Sequence, residues 1–138
     1  MSALSDLLNE QTDLGSDAAT HLQQLVGDWQ ILADLAFADL LLWVRTREDV
    51  LLCVGHVRPT TAPTSHPVHE VGRRVAAGEL SWLDRALHAG GIVRDRDPEW
   101  DSGIPIRPEA IAVGHAGHPI AVLGRDTNLH SPLSLIHI

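Results

Sequence analysis

The chain has 138 residues, which is enough for one domain of ordinary size and too few for two. Its 18 acidic residues outnumber its 10 basic ones, and the formal net charge of −8 argues against nucleic-acid binding, which needs a basic surface. With 44% apolar residues the chain can build a hydrophobic core, and its single cysteine excludes an internal disulfide framework and a cysteine-rich zinc site.

The opening residues and the short apolar runs predict a cytoplasmic protein without membrane contact. A secretory signal begins with basic residues and continues as a long apolar segment, whereas MSALSDLLNE is acidic and interrupted. The apolar run over residues 40–44 is far shorter than the roughly 18–20 residues that a membrane-spanning helix needs.

Two helical segments are predicted in the first quarter of the chain. Apolar side chains recur at helical spacing over residues 3–8, and Gly15 then breaks the chain. Farther on, apolar residues recur every three or four positions, which predicts one continuous amphipathic helix. That stripe consists of Ala18, Leu22, Leu25, Val26, Trp29, Leu32, Ala33 and Ala36.

A buried β-hairpin is predicted next. Residues 40–44 and 50–54 are continuous apolar runs, and the polar residues 46–49 between them favour a turn. Residues 59–67 contain three prolines and three threonines, which predicts an irregular connection.

The middle of the chain predicts mainly helix and loop. Residues 70–77 are expected to form one or two helical turns. Ser81 followed by Asp84 resembles a capping box, and the helix it begins should end at Gly90. The charged residues 92–103 are expected to form a loop.

Two further strands are predicted at residues 104–112 and 120–122, joined by a turn at Gly117. Pro105 and Pro108 should place the first of them at a sheet edge or give it a bulge. Strands that pair with their neighbours in sequence, with helices set apart, predict an α+β fold built on an antiparallel sheet.

Several local strings resemble one known family. They are GDWQILADLAFADLLLWV (27–44), VGRRVAAGELSWLDRAL (71–87), RDRDPEW (94–100) and AVLGRDTNL (121–129). In this order they are similar to the N-terminal GAF-like sensor domain of actinobacterial soluble sensor histidine kinases. The resemblance implies a GAF/PAS-like antiparallel sheet with the N-terminal helices packed on one face. It covers residues 1–130, and the helix that closes such domains is expected to be missing.

The same resemblance implies a function. A signal-input domain of a two-component kinase would detect a cytosolic small-molecule or redox signal and regulate a kinase core outside these residues. The parent kinase would use ATP and Mg²⁺, form a homodimer and pair with an antiterminator-type, RNA-binding response regulator. The chain itself would contain no catalytic residue and no cofactor, and residues 131–138 are interpreted as a non-native tail.

His56, Arg58 and Trp82 are the candidate ligand-binding residues. In GAF folds the ligand lies between the sheet and the middle loops and helices. Arg58 could pair with a phosphate or carboxylate, and Trp82 could stack on a ligand. The alternative is that Arg58 is a surface charge and Trp82 packs in the core.

Cys53 is a possible redox residue, although a thiol within an apolar strand usually behaves as a small hydrophobic side chain. Two histidine pairs, at 66 and 69 and at 115 and 118, have spacings found in zinc sites, but no further ligand motif accompanies them. No metal site is therefore predicted. Two other functions stay open: a ligand-free dimerisation module and a histidine-based metal-binding protein.

Overall fold

The structure, a computed structural model, describes residues 3–94, 99–101 and 103–130. The helices in these ranges are α1 (Ala3–Gln11), α2 (Ser16–Gly27), α3 (Trp29–Ala36) and α4 (Ser81–Ala89). The strands are β1 (Asp39–Arg45), β2 (Leu51–Val57), β3 (Arg74–Val75), β4 (Ile92–Arg94), β5 (Glu99–Asp101), β6 (Ile104–His115) and β7 (His118–Asn128). None of the described helices is long and apolar enough to cross a membrane.

All seven described strands belong to one antiparallel sheet. Their order is β3-β2-β1-β7-β6-β4, and β5 also pairs with β6. The two predicted hairpins, β1–β2 and β6–β7, are confirmed, and β1 pairs with β7 in the centre of the sheet. The α+β fold class is therefore confirmed.

The two faces of the sheet carry different coverings. On what we call the helix face, α1 and α2 pack against side chains of β1, β2 and β7. On the opposite face, α4 packs against Leu41, Trp43 and Cys53. Here α4 shares the sheet with residues 58–73, the connection from β2 to β3, which we call the strap. We call this side the strap face.

The prediction of one long helix over residues 18–36 is wrong. Asp28, with φ −113° and ψ 1°, separates α2 from α3. The break changes the direction of the apolar stripe: Leu22 on α2 is fully buried, whereas Ile31, Leu32 and Leu35 on α3 are exposed. A period that spans both helices cannot show this break, because Gly27 and Asp28 fit the polar side of the same stripe.

Two segments predicted as helix or loop contain strands. In residues 70–77, Arg74 and Val75 form β3 against β2, because Val75 packs into the core beside Leu51. In residues 92–103, β4 and β5 pair with β6. Short strands at the outside of a sheet gain their stability from the partner strand, so their own sequence carries little signal.

The prolines of β6 do not have the predicted effect. β6 pairs with β7 on one side and with β4 and β5 on the other, and its register shift lies between Val113 and Gly114. Pro108 lies between the residues that pair with β5, which end at Ile106, and those that pair with β4, which begin at Glu109. A proline is tolerated there because its missing N–H faces no ladder partner among the described residues.

α4 ends at Gly90 as predicted, where φ is +77°. Its N-cap residue is Leu80 rather than Ser81, and no side chain caps it. Residues 131–138, where we predicted the tail and where a closing helix would begin, lie outside the described residues.

Candidate functional site

Two carboxylates face each other on the central strands. Asp39 of β1 is the direct partner of Asp126 of β7, and both lie on the strap face with Trp43. Asp39 is completely buried. Like charges at opposite positions of an antiparallel pair destabilise a sheet, so this arrangement requires compensating donors.

A β-bulge supplies the first of these donors. Between the pairs Trp43–Cys53 and Leu42–Gly55, β2 contains one extra residue. The extra residue reverses the alternation of side chains between the faces. His56 therefore lies on the strap face, where its Nε2 is 2.7 Å from Oδ2 of Asp39.

The bulge depends on Gly55. A Cβ at this position would lie 2.7 Å from the ring of Trp29, closer than real side chains approach. The glycine lets α3 pack against β2 at the bulge, and so it indirectly holds His56 in place.

The strap completes the coordination of Asp39. The hydroxyl of Thr64 donates to Oδ2 at 2.6 Å, and the backbone N–H of Ser65 donates to Oδ1 at 2.9 Å. Burial opposes the charge of Asp39, but these bonds and the one from His56 outweigh it and lower the pKa of the carboxyl. Asp39 is thus a buried anion held by three donors.

Asp126 is held by His66 of the strap. Nε2 of His66 lies 2.6 Å from Oδ2 of Asp126, and its Nδ1 lies 3.3 Å from Oε1 of Glu70. Burial opposes protonation of His66, but the bond to Asp126 and the charges of Asp126, Asp39 and Glu70 raise its pKa to about 9. Burial also raises the pKa of Asp126, against the hydrogen bond from His66.

Arg58 and α3 hold the strap through hydrogen bonds to its backbone. Arg58 donates from Nε to the carbonyl of His66 and from one terminal nitrogen to the carbonyl of Pro67, both at 3.1 Å. The backbone N–H of Thr60 donates to Oδ1 of Asp34 on α3 at 2.7 Å. The strap therefore joins the buried carboxylates to α3.

A cavity of about 100 Å³ lies beside the carboxylates, between the sheet, α4 and the strap. Its polar residues are His66, Arg73 and Asp126. The rest of its wall is apolar: Trp43, Leu80, Trp82, Leu83, Ile106, Pro108 and Gly124. Concave sites that combine apolar side chains with a few convergent polar groups are typical of small-molecule binding.

The structure separates the three predicted ligand residues. Trp82 lies in the cavity wall and is buried. His56 lies behind the wall, bonded to Asp39, and Arg58 holds the strap backbone. Of the three, Trp82 alone lines this cavity. The roles of all three residues in ligand binding stay predictions.

Cys53 is fully buried in β2. Burial raises the pKa of its thiol to about 12, and the thiol contacts the carbonyl of Gly55 at 3.3 Å. The thiolate is the reactive form, so this environment makes Cys53 a weak nucleophile at neutral pH. Its redox role stays a prediction.

Sequence reasoning missed Asp39, Asp126 and the part that His66 plays. His66 was considered only for its spacing to His69, yet the two imidazoles do not converge on a metal-binding group. Among the described residues, no three His, Cys, Asp or Glu side chains are arranged to hold a metal ion. A usable signal was an acidic residue within each apolar strand, which calls for a buried partner.

Comparisons with known proteins agree with this geometry. Residues 4–135 match the family described as "Histidine kinase PdtaS, GAF domain". The chain is 43% identical over 133 residues to the sensor histidine kinase PdtaS of Mycolicibacterium smegmatis and 49% identical over 92 residues to that of Mycobacterium tuberculosis. These alignments cover 94% and 67% of this chain but only 26% and 18% of the relatives.

Solved structures give the same result. The sensor region of a sensor histidine kinase superposes with a TM-score of 0.71 at 37% identity, over 92% of this chain and 43% of that one. An IclR-type transcriptional regulator from Alicyclobacillus acidocaldarius gives a TM-score of 0.52 at 14% identity, over 92% of this chain and 72% of that one. The second likeness concerns the fold alone.

Proposed function

This chain belongs to the family of the histidine kinase PdtaS GAF domain, and we propose that it is the signal-input domain of such a kinase, with the cavity on the strap face as its signal-binding site. The observation that carries the proposal is the position of the cavity. Residues of α4 and of the strap line it, and His66 of the strap also bonds to Asp126.

The proposed signal passes from the cavity through the strap to α3. A ligand that contacts His66 or Asp126 changes the bond that anchors the strap to β7. The strap is tied to α3 by Asp34, and Gln30 of α3 also donates to the carbonyl of Arg58 at 2.9 Å. A ligand that favours one position of the strap therefore shifts the population of positions of α3.

The activity of the whole protein is part of the same proposal. The chain spans about a quarter of the length of the Mycolicibacterium relative, so phosphoryl transfer with ATP and Mg²⁺ would belong to a kinase core outside these residues. We propose a cytoplasmic homodimeric kinase that passes its phosphoryl group to a response regulator. The antiterminator type of that regulator is inferred from the family resemblance.

The test is a chimeric kinase in which this chain replaces the matching region of the Mycolicibacterium relative. We expect the chimera to autophosphorylate with ATP. The rate of autophosphorylation should change when a small-molecule extract of the cells that naturally make this chain is added. Gly124→Val places side-chain atoms in the cavity, since a Cβ there lies 3.4 Å from Trp43, and should abolish the response to the extract.

The matched control is Gly114→Val, on the same hairpin but away from the cavity, where the nearest atom to a new Cβ is 3.8 Å away. This variant should keep the response. If the two variants respond equally to the extract, the cavity is not the signal-binding site.

A ligand-free dimerisation module is the second candidate. It is favoured by Ile31, Leu32 and Leu35, whose exposed fractions on α3 are 62%, 43% and 72%. Exposed neighbouring apolar side chains often mark a contact with another protein. A chimera that dimerises through this face and ignores both the extract and Gly124→Val would support the second candidate.

A further inference from the structure

The polar atoms of the cavity differ in their availability to a ligand. His66 has contacts at both ring nitrogens, with Asp126 at Nε2 and Glu70 at Nδ1. Nη1 of Arg73 lies 3.5 Å from Oε2 of Glu70, and this carboxylate offsets part of the positive charge of Arg73. The carboxylate of Asp126 uses Oδ2 for His66, and 15% of this side chain is exposed, which leaves Oδ1 as the acceptor that a ligand in the cavity can reach. The cavity therefore presents an acceptor to a ligand.

The charges around the cavity also favour a cation. Glu70 and Asp126 contact His66, Glu70 also contacts Arg73, and the charge of Asp39 acts on His66 as well. The pKa of His66, raised to about 9 in spite of burial, reflects how strongly this environment favours a positive charge. A second cationic group beside Asp126 would be attracted by these carboxylates and opposed by the charges of His66 and Arg73, so it gains most in direct contact with the Asp126 carboxylate.

The remaining wall limits the size and polarity of the ligand. The volume of about 100 Å³ is below that of an engineered 150 Å³ cavity that holds benzene, so a ligand of about five or six heavy atoms fits. Its wall includes two indole rings, from Trp43 and Trp82, and the side chains of Leu80 and Leu83. These apolar side chains form one part of the wall, and a short alkyl body suits that part.

We propose that the cavity binds a small primary amine with an apolar body, whose ammonium group donates to Oδ1 of Asp126. This inference rests on the proposed function and adds the chemical class of its ligand. An anion is the alternative, with Arg73 as its partner. It is disfavoured because its approach to Arg73 would bring it beside the carboxylates of Glu70 and Asp126.

The test compares three four-carbon probes of similar size and different head group on the 138-residue chain: n-butylammonium, 1-butanol and butyrate. Binding is followed in titrations by the indole N–H signals of Trp43 and Trp82, which report on this cavity. We expect the amine to bind about tenfold more tightly than the alcohol, and butyrate to bind most weakly.

Two variants localise the preference. Asp126→Asn should reduce the affinity for the amine to that for the alcohol, whereas Glu48→Gln, at an exposed acid that does not line the cavity, should leave it unchanged. If Asp126→Asn does not fold, Arg73→Gln serves instead, because loss of its charge should strengthen amine binding and weaken butyrate binding severalfold.

Equal affinities for amine and alcohol, or tighter binding of butyrate, would overturn the proposal, and so would the absence of any shift with the amine. These results leave the sensor role standing if the chimeric kinase still responds to the extract in a Gly124-dependent manner. Loss of that response, with the amine preference intact, would instead remove the sensor role and keep the binding site.

Discussion

On the helix face of the sheet, α1 and α2 pack through apolar side chains, whereas the strap face carries two facing carboxylates, Asp39 fully buried and Asp126 with 15% of its side chain exposed, beside a cavity. On the helix face, each buried leucine stabilises the fold by removing apolar area from water, and it needs no specific hydrogen-bond partner to do so. On the strap face, each carboxylate needs specific hydrogen-bond donors. Asp39 is bonded to His56 and accepts from two groups of the strap, the Thr64 hydroxyl and the Ser65 backbone N–H. Such networks add little net stability, but they fix one arrangement and lose much when one member is removed.

The largest expected effect is that of Asp39→Ala. The change leaves His56 and two donors of the strap without their partner, and we expect a loss of about 3–5 kcal/mol in the free energy of unfolding. Urea denaturation of the chain measures it. Leu22→Ala, on the helix face, gives the reference loss of about 2–5 kcal/mol for a purely apolar deletion. A loss below about 1 kcal/mol for Asp39→Ala would show that the strap face does not depend on this carboxylate.

The next effect is a dependence of stability on pH through His66. Its pKa is raised to about 9 in the folded chain from 6.5, so its stabilising contribution is complete below pH 6.5 and is lost as the pH rises through 9. The loss amounts to as much as about 3 kcal/mol. His66→Gln should flatten the profile between pH 6.5 and 9, and His118→Gln, on the exposed turn of the β6–β7 hairpin, should keep the wild-type slope. Parallel profiles for wild type and His66→Gln would contradict the assignment.

Gly55→Ala tests whether the close packing of Trp29 on the helix face is needed at the bulge that places His56 on the strap face. The new Cβ would lie 2.7 Å from the ring of Trp29, and such overpacking costs about 1–3 kcal/mol. The fluorescence of the chain should change as Trp29 moves, and Trp29→Ala in the same chain should make the glycine substitution nearly free. Gly114→Ala, at an open position of the same sheet, is the control. Additive losses in the double variant would show that the two residues do not compete for space.

The smallest effect expected is that of Arg58→Ala. Two hydrogen bonds to the carbonyls of His66 and Pro67 are lost at a partly exposed position, which costs about 1 kcal/mol. Amide hydrogen exchange should accelerate in the strap while β1 and β7 stay protected. Arg58→Lys should recover little, because a lysine cannot span both carbonyls. Unchanged exchange in the strap would mean that Arg58 does not hold it.

The same contrast explains which predictions from the sequence succeeded. The strands of both hairpins and α4 were predicted because their apolar patterns are local and end at glycines or polar turns. The long helix over residues 18–36 was wrong, because a pattern that satisfies one helix also satisfies two that meet at Asp28. β3, β4 and β5 were missed because each is two or three residues long and exists only through pairing with a longer strand.

The amino-acid sequence by itself determined the α+β class, the two hairpins and the family resemblance. Only the tertiary structure decided that Asp39 and Asp126 face each other, that the bulge beside Gly55 turns His56 towards Asp39, and that His66 bonds to Asp126 at the cavity. The physical reason is that strand register and buried charge compensation depend on contacts between distant parts of the chain. A carboxylate in an apolar strand indicates that a partner must exist, and only the packed structure identifies that partner.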